Sequence, residues 1–175
     1  VWMNQPSYYQ TVFFRELTAQ GAEVVVFYAT DVASFRKQLG WGMPVAEGFS
    51  QQVLNGIGDA LRQACRHRDA VHLINGFWSV PLFIGVALLL WLLGGSVFFH
   101  AEHPDLAMTR GGALWTFLKS WWVQWLCLRA SGLFAIGRRA GRFYEAMGVR
   151  SSQIFPFMYF TTVAVTAEKA RSGRF

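Results

Sequence analysis

Ser131-Gly132-Leu133-Phe134-Ala135-Ile136-Gly137 runs directly into Arg138-Arg139-Ala140-Gly141-Arg142-Phe143-Tyr144-Glu145-Ala146-Met147-Gly148-Val149, and Gln153-Ile154-Phe155-Pro156-Phe157-Met158-Tyr159 follows. An apolar strand ends at a glycine, a basic helix starts there, Gly148 closes it, and a second apolar strand begins. This is the grammar of an α/β sheet whose active crevice lies at the carboxyl ends of its strands. Working back toward the start, the alternation repeats. Val1-Trp2-Met3 reads as the stump of a strand, and Asn4-Gln5-Pro6-Ser7 as a turn and cap before a helix through Phe13, Phe14, Leu17 and Gln20. Gly21 ends that helix, and Val24-Val25-Val26-Phe27-Tyr28 is the β-branched and aromatic run of a buried parallel strand. Residues 31–50 read as a long loop, followed by a helix over 50–68, a strand at 70–75, a helix over 81–93 and a strand at 96–100. Strand and helix in strict alternation predict a right-handed, doubly wound parallel sheet flanked by helices.

Composition limits what such a sheet can do. The 175 residues suffice for one domain with a real core. Hydrophobic residues make up 53% and charged residues 15%, low for an ordinary domain. The net charge of +6 is uneven: residues 1–105 carry 6 basic and 8 acidic side chains, residues 106–175 carry 10 and 2, so an anionic partner is expected on the second half. Cys65 and Cys127 have no metal-ligand spacing and are too few for a disulfide scaffold, which predicts a reduced, cytoplasmic setting. The opening Val1-Trp2 has neither an initiator Met nor a signal pattern, and the ends read as those of a fragment.

Two apolar stretches raise the question of a membrane. Residues 77–99 contain no charge and approach the length of a span, but Asn75-Gly76, Pro81 and Gly94-Gly95 divide them into strand, turn, helix, turn and strand. Within 114–128, Trp115, Leu118, Trp122, Trp125 and Leu126 keep helical spacing, while Phe117 and Trp121 widen the apolar arc beyond one stripe. With Lys119 and Arg129 at its edges, this helix suits a lipid interface; otherwise its aromatics are core or cover a missing partner domain.

The order of segments also resembles a known family. Gln5-Pro6-Ser7-Tyr8-Tyr9-Gln10 with Phe13-Phe14-Arg15-Glu16-Leu17, then Gly40-Trp41-Gly42-Met43-Pro44 with Glu47-Gly48-Phe49, then Ala135-Ile136-Gly137 with Phe143-Tyr144-Glu145-Ala146-Met147-Gly148-Val149, look like the amino-terminal half of a family 4 glycosyltransferase. The resemblance implies the GT-B architecture, in which two Rossmann-like domains face each other. The first holds the acceptor and the second holds most of the sugar nucleotide. Residues 1–162 would then be the Rossmann-like acceptor-binding domain, and 163–175 a tail or the start of a linker to a donor domain. The family's spaced glutamate pair, which holds the donor, is absent, since Glu168 is the only acidic residue after Phe160. By this resemblance the parent enzyme is a retaining transferase. It moves a sugar from a nucleotide-sugar donor to a polysaccharide or lipid-linked glycan at the inner membrane face, and the fragment alone is inactive. No bound cofactor is implied.

Candidate site residues follow from strand ends and from that resemblance. His100 leaves the strand at 96–100, where a family histidine faces the donor sugar. Its imidazole would orient a hydroxyl or move a proton, unless it is a loop histidine satisfied by Glu102 or the backbone. Asn4, Gln5 and Ser7 lie where the first strand meets the first helix and can turn helix N-terminal donors toward the donor diphosphate, although Ser7 also fits an ordinary cap. Gly137 and Arg138, with Arg139, combine a helix N-terminus with guanidinium groups at the cleft mouth. Tyr8, Glu102, His103 and Arg110 are assigned to the acceptor, Arg110 because Gly111-Gly112 lets it reach a phosphate.

Glu102, His103 and Asp105 fit no strong metal motif, so no metal is expected. A dinucleotide dehydrogenase fits poorly, because no G-x-G-x-x-G follows the first strand, and no nucleic-acid module is recognisable. The class that competes with the transferase is a non-catalytic membrane protein, with 77–99 spanning the bilayer and the basic region binding lipid.

Overall fold

The computed structural model describes residues 1–40, 42–77, 80–103 and 112–158. Among the described residues seven strands, all parallel, form one sheet: β1 (Trp2–Met3), β2 (Val25–Tyr28), β3 (Ser50–Val53), β4 (Val71–Asn75), β5 (Ser96–Ala101), β6 (Gly132–Ile136) and β7 (Ile154–Phe157). Six α-helices among the described residues connect them: α1 (Tyr8–Ala19), α2 (Ser34–Gln38), α3 (Ile57–Arg66), α4 (Pro81–Leu92), α5 (Gly112–Arg129) and α6 (Gly137–Ala146). The strand order is β3-β2-β1-β4-β5-β6-β7. The chain winds outward from β1 in one direction and from β4 in the other, so the sheet is the expected Rossmann-like, doubly wound α/β fold, with its switch point between β1 and β4.

Each strand divides its side chains between two layers, because successive residues face opposite ways. Trp2, Phe27, Ile74, Val97, Phe99, Leu133 and Ala135 point into a core shared with α3, α4, α5 and α6, where Ala60, Phe83, Val86, Leu90, Val123, Leu126, Ala140 and Tyr144 are buried. Met3, Val24, Val26 and Tyr28 point into a smaller core closed by Phe14 of α1 and by Phe49. Phe98 and Phe134 share that second side, where they join Phe155 and Phe157 in an aromatic layer. Gly132 exists for this layer, since a Cβ on it would lie 2.7 Å from the Phe155 ring and 2.9 Å from that of Phe98.

The central strands are tied by a buried polar chain. The Trp2 indole donates to Nδ1 of His72 at 3.0 Å, and Nε2 of His72 lies 2.9 Å from the His67 carbonyl, to which it donates. Both nitrogens of this buried ring are therefore satisfied.

Two expectations need correction. The helix expected over 50–68 is a strand followed by a helix: β3 pairs along its whole length with β2, and α3 begins only at Ile57. Ser50-Gln51-Gln52-Val53 is an edge strand with polar, exposed positions, so it carries none of the apolar run that marks the buried strands. Asp59 sets the start of α3 by accepting from the Asn55 backbone N–H at 3.1 Å and from Gln52 Nε2 at 3.2 Å. The segment 31–50 likewise contains the short helix α2.

The apolar run 77–99 is divided as its glycines and proline suggest, into the turn after β4, the 12-residue α4 and the start of β5. Among the described residues, no helix is long and apolar enough to cross a membrane. Arg110, Asp105 and the segment 163–175 lie outside the described residues.

Candidate functional site

In an open parallel sheet ligands bind beyond the carboxyl ends of the strands, near the switch point. There the first connection, from β1 to α1, carries Asn4, Gln5 and Ser7. The Asn4 carbonyl accepts from the Thr30 backbone N–H at 3.0 Å and from its hydroxyl at 3.2 Å, which ties this turn to the end of β2. Ser7 occupies the N-cap position of α1 with extended φ and ψ, but its side chain makes no capping bond. Tyr8 is half-exposed, and its hydroxyl accepts from the Gly42 N–H at 3.3 Å, which brings the loop after α2 over the start of α1.

His100 lies one residue before the end of β5 and is only 3% exposed. Its register partners are Asn75 on β4 and Phe134 on β6. The Asn75 amide nitrogen lies 2.8 Å from Nδ1 of His100 and 3.2 Å from the His100 carbonyl oxygen. A carbonyl only accepts, so it fixes the amide with its nitrogen facing β5. That nitrogen must also donate to Nδ1, which is therefore unprotonated, and the ring proton sits on Nε2.

Burial pushes the His100 pKa down to about 4, so the ring is neutral at pH 7. Its Nε2 has no hydrogen-bond partner among the described residues, and neither does Oε1 of Gln10. Both residues line a cavity of about 10 Å³ with Met3, Tyr9, Phe13 and Phe157, and the Phe157 ring stands edge-on to the imidazole at 4.5 Å. That space holds about one water molecule. His100 is thus a hydrogen-bond donor in a small cavity shared with an acceptor on α1 and with the Phe157 ring, and it has no free lone pair for a base.

The other candidates gather further along the sheet edge. Glu102, His103, Ile136, Arg139 and Ala140 line an open cleft of about 500 Å³ beyond β5 and β6. Tyr144 fixes its wall by donating from its hydroxyl to the Glu102 carbonyl at 2.9 Å, while His103 packs edge-on against Phe143 at 4.5 Å. Gly137 opens α6 with φ of 79°, a backbone conformation that L side chains rarely adopt, so β6 turns into the helix without a spacer. Arg138 and Arg139 are both exposed, and Arg139 is the one that lines the cleft.

The structure therefore brings Glu102 and His103 together with the start of α6, and sets His100 apart from them in its own small cavity. Asn75, which sets the His100 ring, and Gln10, which lines its cavity, are not among the residues the sequence singled out for the site. A clue to Asn75 was its position just before Gly76, at the end of an apolar strand. Among the described residues no group of His, Cys, Asp and Glu is placed to hold a metal ion. A larger apolar groove of about 560 Å³ lies beside α1, lined by Val24, Val71, Leu73, Phe98 and Phe134, and it extends to the amino ends of the strands. No protein-family model, curated protein or solved structure matches this chain.

Proposed function

We propose that this chain is the acceptor-side half of a retaining glycosyltransferase that uses a nucleotide-sugar donor and acts on a polysaccharide or lipid-linked glycan, peripherally at the inner membrane face. The observation that carries the reading is the grouping of Glu102, His103 and Arg139 in one open cleft beyond β5 and β6, beside the amino end of α6. A carboxylate and an imidazole suit the hydroxyls of a sugar acceptor. Guanidinium groups of Arg138 and Arg139 at a positive helix end suit a diphosphate. The doubly wound fold and the family 4 resemblance agree with it, as analogy.

In this scheme the bond between the anomeric carbon and the diphosphate oxygen breaks as the acceptor oxygen bonds to that carbon on the same face. The acceptor proton passes to the departing diphosphate. His100 takes no part as a base, because its one free ring nitrogen already carries the proton; it orients a hydroxyl once Phe157 or α1 yields. Asn4, Gln5, Ser7, Gly137 and Arg138 belong to the donor side, and Tyr8, Glu102, His103 and Arg110 to the acceptor side.

The test begins with the coding DNA beyond the codon for Phe175. An in-frame second α/β domain with a spaced glutamate pair is expected. With that domain attached, transfer from nucleotide sugars should fall at least about 100-fold in Glu102→Ala and Arg139→Ala together. Undiminished transfer overturns the assignment of the cleft, and an immediate stop codon counts against the two-domain enzyme.

The second reading, a non-catalytic membrane protein, draws on the exposed apolar side chains of α4 and α5. Carbonate extraction separates the two, since a peripheral transferase leaves the membrane and an integral protein stays.

A further inference from the structure

The four helices on one side of the sheet differ sharply in what they turn outward. They lie side by side in chain order: α3 packs against α4, Trp91 of α4 meets Trp125 of α5 edge-on at 5.9 Å, and Gln124 of α5 donates to the Met147 carbonyl just after α6 at 2.8 Å. The outer pair is basic. Arg62 and Arg66 are exposed on α3, and Arg138, Arg139 and Arg142 on α6. The acidic residues of these two helices are engaged, Asp59 by Asn55 and Gln52 and Glu145 by the Ser151 hydroxyl.

The inner pair has no acidic residue at all. On α5, Phe117 (66% exposed), Trp121 (55%) and Leu128 (52%) recur at helical spacing on the outward arc, with Leu118 beside them. The opposite arc of the same helix, Val123, Leu126 and Cys127, fills the core. Leu92, 85% exposed, and Leu93 extend the patch at the end of α4. Arg129 lies with its guanidinium 5.0 Å above the Trp125 ring, at the patch margin.

We propose that this face docks on an anionic lipid surface, with Phe117, Trp121, Leu128 and Leu92 entering the interface and Arg62 and Arg66 of α3 and Arg142 of α6 meeting lipid phosphates on either side. Charge complementarity selects this occupant. Pairing with a second copy sets arginine flank against arginine flank, whereas a sheet of phosphates satisfies both flanks at once. The helices lie on the membrane rather than in it, since neither is long and apolar enough to cross. The inference sharpens the peripheral placement proposed above, but its readout involves no sugar transfer, so failure of one is distinguishable from failure of the other.

The test is co-sedimentation of the 175-residue chain with phosphatidylcholine vesicles and with vesicles containing phosphatidylglycerol. Binding is expected to the second kind, to weaken in high salt, and to fall at least about tenfold in Phe117→Glu with Trp121→Glu. Both positions face outward, and an unchanged unfolding midpoint confirms that the variant is folded. Failure to sediment with either vesicle, or equal binding by the variant, overturns the proposal. So does a dimer in analytical ultracentrifugation that the same variant dissociates while vesicle binding is absent, which gives the face to a second copy.

Discussion

His72 and His100 sit on adjacent strands, both buried and both neutral, and they have opposite hydrogen-bond accounts. His72 accepts from the Trp2 indole on one nitrogen and donates to the His67 carbonyl with the other. His100 accepts from Asn75 on Nδ1 and leaves Nε2 without a protein partner among the described residues. The first ring is a finished structural joint near the amino end of its strand. The second, at the carboxyl end where an α/β sheet places its ligands, keeps one donor in reserve. Burial alone does not mark a functional histidine; the unspent valence does.

The largest expected break of this contrast comes from removing the joint. His72→Leu strands the Trp2 indole N–H in the core, while the His67 carbonyl keeps the Ala70 N–H, and should cost about 2 kcal/mol by urea unfolding, whereas His100→Leu removes one bond and an orphan together and should cost about 1 kcal/mol or less. Equal losses would erase the distinction.

Acid sharpens the comparison next. Burial holds the folded pKa of each histidine down at about 4, below the ordinary 6.5 of an unfolded histidine. Between those values the unfolded chain binds more protons than the folded one, so stability is full above pH 6.5 and falls as the pH drops toward 4. The slope is up to about 1.4 kcal/mol per pH unit for each histidine. His72→Leu should remove its share of that slope, measured as the difference between wild type and variant so that the carboxylates cancel. An unchanged slope would mean that His72 is not held neutral.

The smallest effect is on the ring proton itself. Nitrogen-15 chemical shifts should report both rings as Nε2–H tautomers, and Asn75→Ala should mix the tautomers of His100 while leaving His72 untouched. A His100 ring still wholly Nε2–H in that variant would mean that Asn75 does not set it.

Much of this architecture was legible in sequence. Val24 to Tyr28, the run from Val71 to Asn75 and the run from Gly132 to Ile136 announce their strands because inner parallel strands must be largely apolar, and Ile154 to Phe157 announces its own by an apolar run of the same kind. β3 was not legible, because Ser50-Gln51-Gln52-Val53 is an edge strand of mostly polar side chains, whereas β7 at the opposite edge keeps the apolar run Ile154-Phe155-Pro156-Phe157. The candidate site was legible only in part. His100 could be placed at a strand end, but its partner Asn75 and its cavity neighbour Gln10 come from strand register and from the packing of α1, separations that one-dimensional spacing does not encode. The choice between Arg138 and Arg139 likewise depends on the rotation of α6 about its axis, which fixes which of two neighbouring arginines turns into the cleft.

Asn75 has a consequence for assembly as well. Its amide grips two acceptors of the one residue directly across from it, a ring nitrogen and a main-chain oxygen. Sliding β4 by a single position along β5 would set it opposite Phe99 or Ala101, neither of which offers a side-chain acceptor, and would turn the apolar face of the strand the wrong way. The asparagine is a detent that lets two otherwise greasy, slippery strands click into one alignment and reject its neighbours.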